Sequence, residues 1–337
     1  MGSYKVRVAN SHQHKKEKEM TVDMGSYIEI GKYGFANQLH SAKIISGRKE
    51  FGDRATLQFP NIKGMLDKVI KAGDAVVIKL GYDGDLHEEF RGYVRSVSPK
   101  IPLTIECEDE FYQLKRQPIE AASWETVKLK DLIAYIAPGA TVTVHDITLS
   151  SFRIDDSVRS RAEALEKLKA EYGLDAYYQQ GKLYVGLAYG SPTTPTKEVV
   201  YQFDGVVANA KMGDMEFRRS DEVLLQVKAI SLSRDNEKRE VVVGDKNGET
   251  RTLHFYNKTA AELKALATDQ LDKLKYDGYR GSFKAKGLPL VQHGMVADLR
   301  SEKYPERAGK YFIDGVTTTY NGSDGFSRAV TLGLKAS

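Results

Sequence analysis

Short runs of alternating apolar and polar residues, bounded by Gly, Pro, Asn or Asp, recur along most of this chain, which is how half-buried β-strands read. The clearest stretch is Ala72 to Arg116. Ala75 to Leu80 is mostly β-branched and ends in Gly81-Tyr82-Asp83-Gly84-Asp85, whose glycines and aspartates supply the positive-φ positions of a reversal. Phe90 to Val97 returns, the Pro99 to Pro102 break stops it, and Leu103 to Cys107 makes a third strand. Leu103, Ile105 and Cys107 then share a core face, and Thr104, Glu106 and Glu108 a wet one. The expected result is an antiparallel meander.

Upstream, Tyr4–Ala9, Ser26–Ile30, Ala42–Ser46 and Arg54–Phe59 read as further strands, and Ile62–Ala72 as a short helix. Residues 1–117 are therefore expected to form one mostly β unit. The period changes after Pro118. Leu129, Leu132, Ile133 and Ile136 lie on one helical face, and Pro138-Gly139 ends that helix. Ser160 and Glu163 have capping-box spacing ahead of a second helix with Leu165, Leu168 and Tyr172 in its stripe, stopped at Gly173. A hairpin turning at Gln180-Gly181 follows, so 118–190 reads as a small α+β domain, and the Pro- and Thr-rich residues 191–198 as a linker. Strands resume in 199–234 and 278–337. Between them, 235–277 reads as an inserted hairpin and helix, with an Asn247-Gly248 turn and a Thr259/Glu262 capping box.

The tail has the spacing of the opening meander. Gly73 begins a strand, Gly92 sits in the next and Leu103 starts the third; Gly294, Gly315 and Phe326 stand in the same relation, which suggests an internal repeat rather than two unrelated meanders.

Composition narrows the function. With 41% hydrophobic and 28% charged residues the chain reads as globular, and its 337 residues suit two to four compact units. No run approaches a membrane span, and the first twenty residues lack the apolar core of a signal peptide, so a cytoplasmic site of synthesis is expected. A net charge of +4 spread in mixed clusters is not a nucleic-acid-binding pattern.

Candidate chemistry is sparse. His12 and His14 could chelate a metal from one side of an extended segment, but no third ligand lies nearby, and a solvated charged loop is the simpler reading. Asp83, Asp85, Glu88 and Glu89 lack the twelve-residue calcium spacing and read as a turn with a polar rim. Cys107, the single cysteine, is expected to be a buried thiol. No nucleophile elbow, zinc-protease motif or phosphate-binding glycine loop is present, so no catalytic, cofactor-binding or metal residues are assigned. A paired-carboxylate glycan hydrolase, which leaves no short motif, stays open as the alternative.

Gly73-Asp74, Leu80-Gly81-Tyr82, Gly92-Tyr93-Val94 and Glu106-Cys107-Glu108-Asp109, with Tyr172-Gly173-Leu174, Arg218 to Val223 and Pro305 to Val316 downstream, resemble the central hub proteins of contractile phage-tail baseplates, the late control protein D type. The resemblance covers most of the chain. It implies a mainly β fold with α+β inserts: two similar tube-like β-barrel domains plus two smaller accessory domains. It also implies a non-enzymatic homotrimer in the virion tail baseplate, assembled in the bacterial host cytoplasm without membrane insertion. Such a trimer would join a sixfold tail tube protein to a threefold central spike protein, touch other baseplate proteins, and let DNA pass without specific binding. The hub part of a type VI secretion spike, or of another phage-derived injection device, is similar; since the sequence ends at Ser337 with no needle repeat, the spike is expected to be a separate chain.

Overall fold

The computed structural model describes residues 3–6, 20–60, 64, 66–149, 151–187, 197–232, 237–256 and 258–336. The first β unit has six main strands, β1 (Met20–Ile30), β2 (Ser41–Gly47), β3 (Arg54–Phe59), β4 (Ala75–Tyr82), β5 (Asp85–Ser98) and β6 (Leu103–Glu108), and two short ones, Ser3–Val6 and Tyr33–Ala36, that pair with β1. The six lie side by side in the order β1-β4-β5-β6-β3-β2, every neighbour antiparallel. The expected meander is β4-β5-β6. Its first turn is tighter than the sequence suggested: Asp83 (φ 51) and Gly84 (φ 85) alone make it, and β5 begins at Asp85 rather than Phe90.

Alternation sets the core. Ile28, Ile44, Leu57, Ile78, Leu80, Leu103, Ile105 and Cys107 are all at most 2% exposed. Burial pushes the Cys107 thiol up to about 12, which leaves it inert. Glu108, expected on the wet face, is buried, because the Phe111–Arg116 helix folds back over the end of β6 and Lys115 meets its carboxylate there.

In the α+β domain, α1 (Leu129–Ile136) buries all four predicted stripe residues. At the start of α2 (Arg161–Tyr172), Ser160 Oγ accepts from the Glu163 N–H. Glu163 reaches back to the Arg159 N–H instead of that of Ser160, so the second half of the capping box is displaced by one residue. The predicted hairpin is β7 (Asp175–Gln179) and β8 (Lys182–Gly186), turning through Gln180 (φ 50) and Gly181 (φ 76). Residues 191–196 of the linker lie outside the described residues, and Glu198, expected at its end, already opens the next strand.

The second half holds β9 (Glu198–Gln202), β10 (Ala210–Lys211), β11 (Glu216–Arg218), β12 (Leu225–Leu232), β13 (Lys238–Gly244), β14 (Glu249–Tyr256), α3 (Ala260–Leu274), β15 (Gly278–Arg280), β16 (Ser282–Lys286), β17 (Val296–Arg300), β18 (Gly309–Asn321) and β19 (Gly325–Lys335). Six of these lie in the order β9-β17-β18-β19-β16-β10. Counted in chain order among these six strands, each unit has the spatial order first, fourth, fifth, sixth, third, second. They differ at the first strand, since β9 runs parallel to β17 whereas β1 is antiparallel to β4.

Two sequence expectations change. The stretch Glu222–Leu232, read as a buried strand of the second β unit, supplies Leu225–Leu232 as the middle of a separate sheet, β13-β12-β14, with Val227 and Ala229 packed against Leu263 and Ala267 of α3. Its apolar run needed a buried position, and α3 supplies that as well as a larger sheet would. The insert therefore begins near Ser220, whose N–H donates to Asp277 Oδ1 at 2.7 Å and closes the root. In the first unit the same connection is the short turn from Arg48 to Asp53. The second change concerns closure: among the described residues neither unit is a closed barrel. The outer edge of β2 pairs instead with β18, Ser41–Gly47 against Asn321–Gly315, and joins both units into one 14-stranded sheet. No helix of the described residues is long and apolar enough to cross a membrane.

The repeat extends to individual hydrogen bonds. Gly73 N–H donates to Val94 O and Val94 N–H to Asp74 O, both at 2.8 Å; Gly294 N–H donates to Ile313 O and Ile313 N–H to Met295 O, also at 2.8 Å. One bulge follows in each, at Arg95 (Val94 opposite Cys107, then Ser96 opposite Glu106) and at Asp314 (Ile313 opposite Leu332, then Gly315 opposite Thr331). Val94 thus corresponds to Ile313, and Gly315 to Ser96 rather than to Gly92. Gly73 (φ 94) and Gly294 (φ 84) need the left-handed backbone, while an added Cβ would come no closer than 3.7 and 3.9 Å to other atoms. Gly73→Ala and Gly294→Ala should therefore each cost about 1–2 kcal/mol by backbone strain alone. Urea unfolding measures this, and a loss at only one site would show that the two turns are not equivalent.

Candidate functional site

The sequence-level candidates do not come together. His12 and His14 lie outside the described residues. Asp83 caps a neighbouring strand by accepting from the Asp23 N–H at 2.9 Å. Glu88 and Glu89 stand within β5 rather than on a turn rim: Glu88 pairs with Arg91 at 2.6 Å in the open, while Glu89 turns inward. Among the described residues no three His, Cys, Asp or Glu are grouped to hold a metal.

What the fold assembles is a polar seam where the two β units and the α+β domain meet. Arg48, just past β2, donates to Asp175 at the start of β7 (2.6 Å) and to Asp314 in the β18 bulge (3.0 Å), so one guanidinium ties all three bodies. Lys169 of α2 donates to Arg48 O, and Gln179 to His293 O. The His293 ring meets Tyr177 edge-on at 4.6 Å, and burial, with Arg48 nearby, lowers its pKa to about 4, so it is neutral. Deeper in, Arg328 of β19 makes a bidentate pair with Glu89 of β5, at 2.7 and 2.6 Å, and also donates to Gly287 O and Thr318 Oγ1. Both side chains are essentially buried, at 1% and 3% exposure.

Beside this pair, Asp53 and Asp109 hold the end of the first unit. Asp109 accepts from the Asp53 and Phe111 N–H groups, and Asp53 from that of Gly47. Burial pushes Asp53 up to about 7, and burial together with the Asp53 charge raises Asp109 well above the carboxylate range. Raised carboxyls can mark an acid catalyst. Here the adjoining cavity is about 50 Å³, room for water, and both carboxyls accept backbone N–H groups that hold the end of the first unit. Sequence reasoning missed Arg48, Arg328 and His293. His293 alone left a signal, as the residue before the repeated turn glycine.

Sheet edges without a partner strand among the described residues include the outer side of Ala210 to Arg218, beside half-exposed Met212, and the outer side of β5 beyond Val94, beside Ile101 at 89% exposure.

No protein-family model matches the chain, and no curated protein matches it. Solved structures do. A tail protein from Neisseria meningitidis MC58 is 16% identical with a TM-score of 0.66, over 93% of this chain and 96% of that one. The 43 kDa tail protein of prophage MuSo2 from Shewanella oneidensis is 14% identical with a TM-score of 0.61, over 92% and 98%. An E. coli component of the type VI secretion system, described as similar to T4 bacteriophage tail proteins gp27 and gp5, is 8% identical with a TM-score of 0.55, over 91% and 76%. At these identities the likeness is one of fold: this chain has a phage-tail-like fold.

Two outcomes follow from the seam. Glu89→Ala, which strands a buried guanidinium, should lower stability by about 3–5 kcal/mol in denaturant unfolding. Glu88→Ala, which breaks the open pair with Arg91, should cost about 0–1 kcal/mol. Asp53 binds its proton more tightly folded (about 7) than unfolded (3.8), so its contribution is fully present below about pH 4 and is lost as pH rises through about 7. Asp53→Asn keeps an acceptor for Gly47, and thermal melts across that window should fall less steeply with pH than those of the parent; an unchanged slope would mean that the carboxyl titrates normally.

Proposed function

We propose that this protein is a structural, non-enzymatic hub of a phage or prophage tail baseplate, a homotrimeric adaptor between a sixfold tail tube and a threefold spike. One observation carries the reading: a single chain holds two units of the same strand order, and they are joined edge to edge. Three copies then present six similar units around one axis, and cyclic closure avoids open-ended growth. Such a ring meets a sixfold neighbour through its six units and a threefold neighbour through its three chains. Among the described residues neither unit is a closed barrel by itself, so each wall of the proposed tube would be shared with the next unit. DNA would pass through the lumen without specific binding, since a strongly basic lining would retain phosphates. The tail-protein likenesses, which span nearly the whole of both chains, support the phage-tail setting over the type VI one, where the neighbour extends further beyond the match. Light scattering at rising protein concentration should approach three times the 37.6 kDa chain mass. A monomer at every concentration, or hydrolysis of peptidoglycan that one Asp or Glu substitution abolishes, would overturn the reading.

A further inference from the structure

We infer that copies of this chain join by the same strand pairing that joins its two halves: the open edge of Ala210 to Arg218 in one copy zips antiparallel onto the open edge of β5, Ser96 to Ser98, in the next. The inference rests on the trimer reading and assigns the residues that make the contact.

The argument is one of equivalence. In the second unit, the outer edge of β18 carries β17 as far as Phe312; past the Asp314 bulge that edge is taken by β2, with Gly47 opposite Gly315 and Ile45 opposite Thr317. In the first unit, the outer edge of β5 carries β4 as far as Tyr93; past the equivalent Arg95 bulge it carries no strand among the described residues. The counterpart of β2 is β10 with β11, since β2 pairs with β3 while β10 and β11 pair with β16 and β15. That strand too has an outer edge with no partner among the described residues. Among the described residues, one edge therefore lacks the strand that its twin binds, and the matching strand lacks the edge that its twin covers.

Register follows from the same pairs. Arg54 stands opposite both Glu108 and Ile45. Thr56 stands opposite Glu106, as Ser282 stands opposite Thr331, so Arg280 corresponds to Arg54. Arg280 faces Glu216, which makes Glu216 the counterpart of Ile45 and Arg218 that of Gly47. Carried across, Glu216 meets Ser98, Phe217 meets Val97 and Arg218 meets Ser96. The side chains suit this. Val97 and Phe217 are each half-buried against their own unit's core and would cover one another, and Arg218 would arrive beside Glu106, the cross-strand neighbour of Ser96. Exposed edges of this kind invite pairing with another chain, and a ring satisfies both at once.

The test is a Ser98→Cys/Glu216→Cys double variant of the full chain, oxidised at concentrations where light scattering reports assembly. Cys107 is buried and its thiol is pushed up to about 12, so it stays silent. The expected result is a covalent ladder ending at three chains, absent from either single variant. Hydrogen exchange on the parent protein gives a check that needs no substitution: amides in 95–98 and 210–218 should gain protection as assembly proceeds. Trimers that form with neither crosslink nor added protection would overturn this edge pairing and leave the trimer standing. Failure to assemble at all would overturn both.

Discussion

The union of the two halves depends on a backbone contact, the ladder between β2 and β18, beside which Tyr320 and Phe326 pack into the first unit's core with Ala42 and Ile44. Gly47 faces Gly315 at its head, where an added Cβ at either would come within 3.2 Å of a carbonyl oxygen across the joint. Two halves of one chain are thereby fused by main-chain hydrogen bonds, which are insensitive to most sequence change away from those glycines. The charged seam then fixes the angle. Arg48 and the Arg328–Glu89 pair bridge bodies that the ladder alone would leave free to twist, and their burial makes any misalignment costly.

This division of labour explains how divergent chains share the architecture. The neighbouring tail proteins are similar over more than nine-tenths of this chain at 14–16% identity. A fold held by strand order, two turn glycines and an equivalent bulge in each unit asks little of the other positions beyond an alternating pattern. Among the described residues, the titratable groups drawn inside the seam hold elements together, and the space beside them has room for water.

Much of the local structure was legible from the residues. Arg54–Phe59 begins and ends where alternation and Pro60 place it, and the stripe on α1 and the turn at Gln180-Gly181 are where period and turn chemistry put them. Those signals act over a few residues, which is the range that periodicity covers. The seam was not legible, because Glu89 and Arg328 are 239 positions apart and a single charge in a strand looks the same whether it faces water or a partner. Nor was the sheet to which β12 belongs, since an apolar run requires burial without naming what buries it. The repeat lay between these cases: its glycine spacing was visible, but the equivalence of Val94 with Ile313 emerged only from their matching hydrogen bonds.

The insert rooted at Ser220 and Asp277 occupies a connection that the first unit spans with a short turn, and it sits on the same end of its unit as that turn does. In the proposed ring, long and short connections would then alternate around one rim. That rim would be scalloped, with three raised lobes and three gaps, while the opposite rim, which holds the short β5–β6 and β18–β19 connections, would stay nearly even. A docking partner with threefold shape could index itself on the lobes, so the orientation of the whole ring would be decided by which loop had been lengthened.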